Sequence, residues 1–297
     1  MRDEVKKKRA RSSFIPPPSA LIPSPSLLPP KRRFGQNFLA DERVIERIVR
    51  EVSPREDETI IEIGPGRGAL TSRLVEGTGR LIAVEFDRDL IPLLQEKFGA
   101  RENFILNEAD ALNVDLCAMI APSTQARVVA NLPYYISTAI LQRLIEQRAC
   151  LTEMVLMLQR EVVERIAAPP ATSERGFLSV LVEAYCETET LLDVAPTAFR
   201  PVPKVWSTVV RLRVRPQTAV GVTDEKLLWQ IVSAGFAQRR KTIFNNLRSA
   251  SGELQARIEK AGGAEGALES AGIEAKRRAE TLTLEEWVSL TGVISDC

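Results

Sequence analysis

Thr59-Ile60-Ile61-Glu62-Ile63-Gly64-Pro65-Gly66-Arg67-Gly68 is the stretch that decides the fold of this 297-residue chain. Its first half is β-branched and apolar, a short buried strand. Its second half places glycines at alternate positions, which permits a tight turn into a helix predicted from Ala69 to about Glu76. The same alternation continues downstream. Arg80–Glu85 (RLIAVE) reads as a second strand and Arg88–Phe98 as its helix, with further apolar runs at Asn103–Leu106, Arg127–Ala130 and Met154–Leu158. Short apolar strands alternating with helices imply parallel βαβ units in a doubly wound, Rossmann-like α/β sheet. Ser207–Val214 (STVVRLRV) alternates with period two, which predicts an antiparallel edge strand. After Pro216 only helical patterns appear, at Glu225–Phe236, Arg239–Ala250, Glu253–Ala261 and Leu284–Leu290. The expected organisation is a tail over 1–30, an α/β domain over 31–216 and a small all-α domain over 217–297, with the boundary near 216–222.

Composition narrows the chemistry. No window approaches the roughly 18 consecutive apolar residues of a membrane helix, so no membrane span is expected. Histidine is absent, which excludes Ser-His-Asp and Cys-His catalysis and the HExxH zinc motif. Cys117, Cys150, Cys186 and Cys297 form no CxxC pair, so neither a bound metal nor a disulfide framework is expected, and a reducing cytoplasm is the natural compartment. The net charge of +1 hides an asymmetry: residues 1–33 hold nine Lys/Arg against two acids, the rest 31 against 37. Binding to a polyanion would therefore use local basic patches. Pro16 to Pro30 is Pro/Ser-rich and predicts an extended, disordered segment.

A Gly-rich turn between strand and helix brings backbone N–H groups close to a ligand. Glu85 ends the next strand, 21 residues after Gly64, where a carboxylate can accept ribose hydroxyls. NAD, FAD and S-adenosylmethionine all use such a pair. The spacing E-x-G-x-G-x-G, unlike G-x-G-x-x-G, favours S-adenosylmethionine, as does Asp110 after the third strand, placed to hold an adenine amine. A lone Asp there is equally a helix cap.

Asn131-Leu132-Pro133-Tyr134 directly follows Arg127–Ala130, at the carboxyl end of a strand where open α/β sheets bind ligands. It fits the [DNS]-[PIL]-P-[YFW] pattern of enzymes that methylate exocyclic amines. The lone pair of such an amine is delocalised into the ring. An Asn oxygen and the carbonyl before the proline can accept its two N–H bonds and localise that pair, while Tyr134 stacks on the base. The attacked nitrogen becomes cationic and sheds its proton, so no histidine is needed. The base must be unpaired or flipped out. Phe199, in Ala198-Phe199-Arg200-Pro201-Val202-Pro203-Lys204-Val205, is the candidate second stacking face, with Arg200 and Lys204 positioned for phosphates; it reads equally as a loop anchor packed on the core.

These motifs, with Arg33-Phe34-Gly35-Gln36-Asn37-Phe38-Leu39 and Phe236-Ala237-Gln238-Arg239-Arg240-Lys241-Thr242-Ile243-Phe244-Asn245-Asn246-Leu247, make the chain resemble the dimethyladenosine transferase family of small-subunit ribosomal RNA from about Lys31 to Leu290. The resemblance implies a class I S-adenosylmethionine-dependent methyltransferase. Asn37, Leu39, Gly64, Gly66, Glu85, Asp110 and Asn131 would line the donor site, and Asn131 to Tyr134 with Phe199 would handle the adenine. It implies dimethylation of two adjacent adenosines in a 3′-terminal hairpin loop of 16S RNA, on the immature 30S subunit, by a monomer without a metal. Arg239, Arg240 and Lys241 would contact RNA from an amphipathic helix, although a plain solvated helix has the same pattern. A related family methylates large-subunit RNA with the same catalytic domain; a DNA adenine methyltransferase and a non-catalytic assembly factor are the other readings. The chain departs from the family in its N-terminal extension, which reads as a basic RNA-binding arm or a solvated tail, and in Ala40 after Leu39.

Overall fold

A computed structural model describes residues 29–31, 35–216, 221 and 224–295. Residues 1–28, which hold most of the basic, proline-rich segment, and Arg33-Phe34 therefore lie outside the described residues, as does much of the expected domain boundary. Seven strands form one sheet in the order β4 (Phe104–Glu108), β3 (Arg80–Glu85), β2 (Thr59–Ile63), β5 (Ala126–Asn131), β6 (Leu151–Gln159), β9 (Ser207–Val214) and β7 (Cys186–Val194). The first five run parallel, and β9 runs antiparallel to both β6 and β7. The chain reverses its direction of winding between β2 and β5, and at such a switch point the strand ends splay into a crevice.

Burial explains why these residues are strands. All five residues of β2 are buried, as expected of a strand covered on both faces. Ile61, Ile82 and Val128 face one core, while Ile60, Leu81 and Val129 face the other. Helices α2 (Thr71–Gly77) and α3 (Ile91–Phe98) cover the second face, and α5 (Ser137–Glu146) and α7 (Phe177–Tyr185) cover the first. That first core runs without a break into the carboxy-terminal helices, so Leu228 and Ile231 of α8 (Glu225–Gly235) and Trp287 of α12 (Leu284–Ser295) share it with the sheet.

Several expectations need correction. Ser207–Val214 is antiparallel but lies second from the edge; the edge is β7, whose Glu and Thr residues stand exposed in mid-strand. Arg239–Ala250 is not one helix. Thr242 caps a shorter α9 (Ile243–Arg248) by accepting from the Asn245 N–H, which leaves Arg239, Arg240 and Lys241 in an exposed turn. Between α10 (Gly252–Lys260) and α12 lies an additional helix, α11 (Gly263–Ser270). Cys117 and Cys150, which suggested no pairing, form a disulfide with Cα atoms 5.5 Å apart, clipping α4 (Leu116–Met119) to the turn that opens β6. Among the described residues no helix is long and apolar enough to cross a membrane.

Gly235 closes α8 against Trp287, and a Cβ there would fall inside the van der Waals envelope of the indole, which is fully buried. Gly235→Ala is therefore expected to lower unfolding stability by about 1–3 kcal/mol despite the better helix propensity of alanine, because a packed ring cannot yield. Urea denaturation followed by circular dichroism measures this; an unchanged midpoint would show that the shared core is looser than described.

Candidate active site

Strand register assembles the site. Ile63 lies beside Val84 on one side and Ala130 on the other, so Gly64, Glu85 and Asn131 emerge abreast from β2, β3 and β5. Glu85 pairs with Glu108 of β4, which brings Asp110 two residues beyond the same edge. Together they line a cavity of about 310 Å³. Asn37, Gly66 and the Leu132-Pro133-Tyr134 turn also line it.

The glycine turn and Glu85 form one unit. Glu85 accepts the Gly66 N–H at 3.0 Å through one carboxylate oxygen and the Asp87 N–H at 2.8 Å through the other. Burial raises the Glu85 pKa, and these two N–H donors work against the rise. Gly64 has φ of +68°, and a Cβ there would meet no protein atom within 4 Å, so the turn leaves open room beside its backbone. Beneath it, Glu62 is buried to 2% exposure, and its carboxyl is pushed up to about 8, first by burial and then by the neighbouring Glu85 charge. Thr71 lies close enough to favour the ionised form, but neither Glu62 Oε2 nor Thr71 Oγ1 completes a hydrogen bond of normal geometry.

A strap from the amino terminus crosses the opening. Gln36 donates to Asp87 at 2.8 Å and Lys31 pairs with Asp87 and Asp89. Burial would raise the Asp87 pKa, but the hydrogen bonds from Lys31, Gln36 and the Asp89 N–H hold it below the usual carboxylate value. The strap then enters β1 (Phe38–Leu39), which pairs antiparallel with β8 (Phe199–Arg200). Between these anchors, the Asn37 carbonyl accepts from Asn131 Nδ2 at 3.4 Å. A carbonyl can only accept, so this contact fixes which end of the carboxamide is nitrogen and leaves Asn131 Oδ1 as the acceptor. Tyr134 is held by its hydroxyl, 2.8 Å from Ser207 Oγ.

Not every expected residue faces the cavity. Leu39 is buried in β1 and Phe199, at 0% exposure, packs in the core beside it, so Phe199 presents no face to a base in this structure. The hydrophobic gain from enclosing a whole phenyl ring prevails over exposure in the loop. Arg200 and Lys204 are exposed beyond it, and Arg239, Arg240 and Lys241 lie on the separate turn described above. Asp110 lines the cavity while its oxygens accept from the Leu112 N–H and Asn113 Nδ2, both 2.9 Å away, so it braces a turn and is not a helix cap; the next helix is capped by Asp115. Sequence reasoning missed two exposed aromatics at the cavity, Phe86 at 57% and Tyr135 at 58%. Each directly follows a singled-out motif, and aromatic exposure at that place was the available signal.

A profile of the ribosomal RNA adenine dimethylase family matches residues 29–290. The chain belongs to this family. The ribosomal RNA small subunit methyltransferase A of Clostridium botulinum (strain Loch Maree / Type A3) is 41% identical over 266 residues, covering 90% of this chain and 93% of that protein. The protein of the same name from Chromohalobacter salexigens is 43% identical over 270 residues, covering 90% and 92%. The dimethyladenosine transferase from Plasmodium falciparum shares the fold, with a TM-score of 0.70 at 21% identity over 85% of this chain and 95% of that one. The 23S rRNA methyltransferase ErmE superposes with a TM-score of 0.62 at 26% identity, covering 87% and 100%. The enzyme is thus a class I methyltransferase, a family whose methyl donor is S-adenosylmethionine, and the cavity fits such a donor: an open glycine turn for a close backbone approach, and a carboxylate at the next strand end.

Glu62 also sets a pH dependence. The unfolded chain releases this proton near the ordinary carboxylate value, whereas the folded enzyme keeps it up to about 8. Folded stability therefore declines as pH rises across that interval and levels off above it. In Glu62→Gln this component of the decline is expected to vanish, leaving the variant more stable relative to wild type at pH 8 than at pH 5. Denaturation midpoints across that range check it, and parallel pH profiles would refute the buried neutral carboxyl.

Proposed function

We propose that the enzyme transfers methyl groups from S-adenosylmethionine to the N6 amines of two adjacent adenosines in a 3′-terminal hairpin loop of small-subunit ribosomal RNA, within the immature 30S subunit. The observation that carries the reading is the oriented Asn131 carboxamide, placed by strand register beside the glycine turn. S-adenosylmethionine bound there supplies an electrophilic methyl group on a sulfonium. Gly64, Gly66, Glu85 and Asp110 hold the donor against the strand ends, with Asn37 closing over it from the strap. Asn131 Oδ1 and the Leu132 carbonyl accept the two N–H bonds of the adenine amine and draw its lone pair out of the ring. Tyr134, steadied by Ser207, stacks on the base. With the donor bound, its methyl group would pass from sulfur to the amine nitrogen held by Asn131 Oδ1 and the Leu132 carbonyl, leaving S-adenosylhomocysteine, and the cationic amine would lose its proton to water. That acid is strong enough to need no side-chain base, in keeping with a chain without histidine.

Arg200 and Lys204 on one loop, and Arg239, Arg240 and Lys241 on the α8–α9 turn, are the proposed phosphate contacts. Arg239 also donates to the Ser173 carbonyl, which ties that turn to the sheet domain. Two separated basic patches allow a protein with a nearly neutral net charge to bind a polyanion locally.

Asn131→Ala is expected to lower kcat on undermethylated small subunits by roughly 10²–10³-fold, the usual effect of deleting one transition-state hydrogen bond. Calorimetric affinity for S-adenosylmethionine should stay within a few fold of wild type. Equal losses in turnover and donor affinity would place Asn131 in donor binding alone.

A further inference from the structure

Pro201 to Trp206, between β8 and β9, carries exposed apolar side chains at Val202 (56%) and Trp206 (46%). The other two tryptophans are structural: Trp287 is fully buried, and Trp229 packs edge-on against Phe177 and donates to the Tyr185 hydroxyl. Leaving an indole half in water forgoes burial that a fold otherwise takes, so what orients it is informative.

Trp206 is held from one side. The Arg160 guanidinium carbon lies 4.7 Å from its ring centroid, and Arg160 is itself fixed by donating to Asp193 at 2.8 Å. The Arg160 backbone N–H donates to the Trp206 carbonyl at 3.0 Å, which pins the loop at that residue. The next residue is Ser207, whose hydroxyl holds Tyr134. The exposed indole is thus one residue from the group that positions the aromatic of the catalytic turn. Arg200 and Lys204, exposed on the same loop, give it positive surroundings. A flat aromatic, a cation beneath it and exposed cations on the same loop are what a single-stranded nucleotide requires: a stacking face and phosphate partners.

We propose that Trp206 is a stacking platform for an unpaired RNA nucleotide flanking the target adenine, with Arg200 and Lys204 holding the adjoining phosphates. The assignment rests on the RNA-methylating function proposed above. It supplies a recognition element outside the donor cavity and gives the entering strand a direction, from the catalytic turn toward the β8–β9 loop. With Phe199 enclosed in the core, it also offers an exposed aromatic on the loop that leads into Ser207.

The test uses the full-length enzyme and two readouts. In a titration with a short single-stranded oligoadenylate, intrinsic fluorescence should be quenched in wild type and largely unquenched in Trp206→Phe, since Trp287 is fully buried and the half-buried Trp229 is packed against Phe177 and Tyr185. In methyl transfer, Trp206→Ala should raise the KM for undermethylated small-subunit RNA by about 5- to 30-fold. Its kcat and its KM for S-adenosylmethionine should stay within about twofold, and Trp206→Phe should recover most of the loss. Quenching that persists in Trp206→Phe overturns the proposal. A fall in kcat at unchanged RNA KM in Trp206→Ala also overturns it, because Trp206 would then act only by positioning Tyr134. If Trp206→Ala fails to fold, the fluorescence comparison with the conservative variant still decides. Failure of wild type to methylate the small-subunit RNA would count against the proposed function, while the oligoadenylate titration reads the stack separately.

Discussion

A carboxamide can present its oxygen or its nitrogen to a ligand, and the two ends are nearly alike in shape. At position 131 the choice is made by a backbone carbonyl on a segment 94 residues earlier in the chain, which accepts from the nitrogen and leaves the oxygen for a donor. An acceptor is what an adenine amine needs if its lone pair is to be drawn toward an electrophilic methyl group. The contact is long at 3.4 Å, so its value lies in orientation more than in binding energy. Much of the remaining architecture serves to keep the strap that carries Asn37 in place.

That strap is tied at both ends. Upstream, Lys31 and Gln36 reach Asp87, whose own position follows from the turn in which Glu85 binds the Asp87 N–H. Downstream, Leu39 pairs with Phe199 and both side chains enter the core. The buried Phe199 therefore acts on the site by anchoring the strap, which relates the proline-rich loop to the amino-terminal segment through packing. The carboxy-terminal helices contribute from the opposite face, since they extend the core beneath β5 and β6 and so support the strand that delivers Asn131.

The βαβ alternation and the site at the strand ends were legible because both depend on local signals: β-branched runs, glycine spacing and a proline-ended turn. β7 was not, because an edge strand with Glu187 and Glu189 facing solvent lacks the apolar run that marks a buried strand. α11 was hidden by its glycines and short length, although Ala267 and Leu268 bury it against its neighbours. The basic cluster shares the helical pattern of the residues after it, and only the Thr242 side chain, which caps α9, marks where the helix begins. Pairing of Cys117 with Cys150, the enclosure of Phe199 and the cation beneath Trp206 are products of tertiary proximity, which spacing along a chain does not encode.

The most direct measurement is a crystal structure of the enzyme with S-adenosylhomocysteine and adenosine. The account predicts Asn131 Oδ1 within hydrogen-bond distance of the adenine N6, Nδ2 still turned to the Asn37 carbonyl, and N6 directed at the donor sulfur. An adenine bound with its amine away from Asn131, or a carboxamide turned nitrogen-first toward N6, would contradict it.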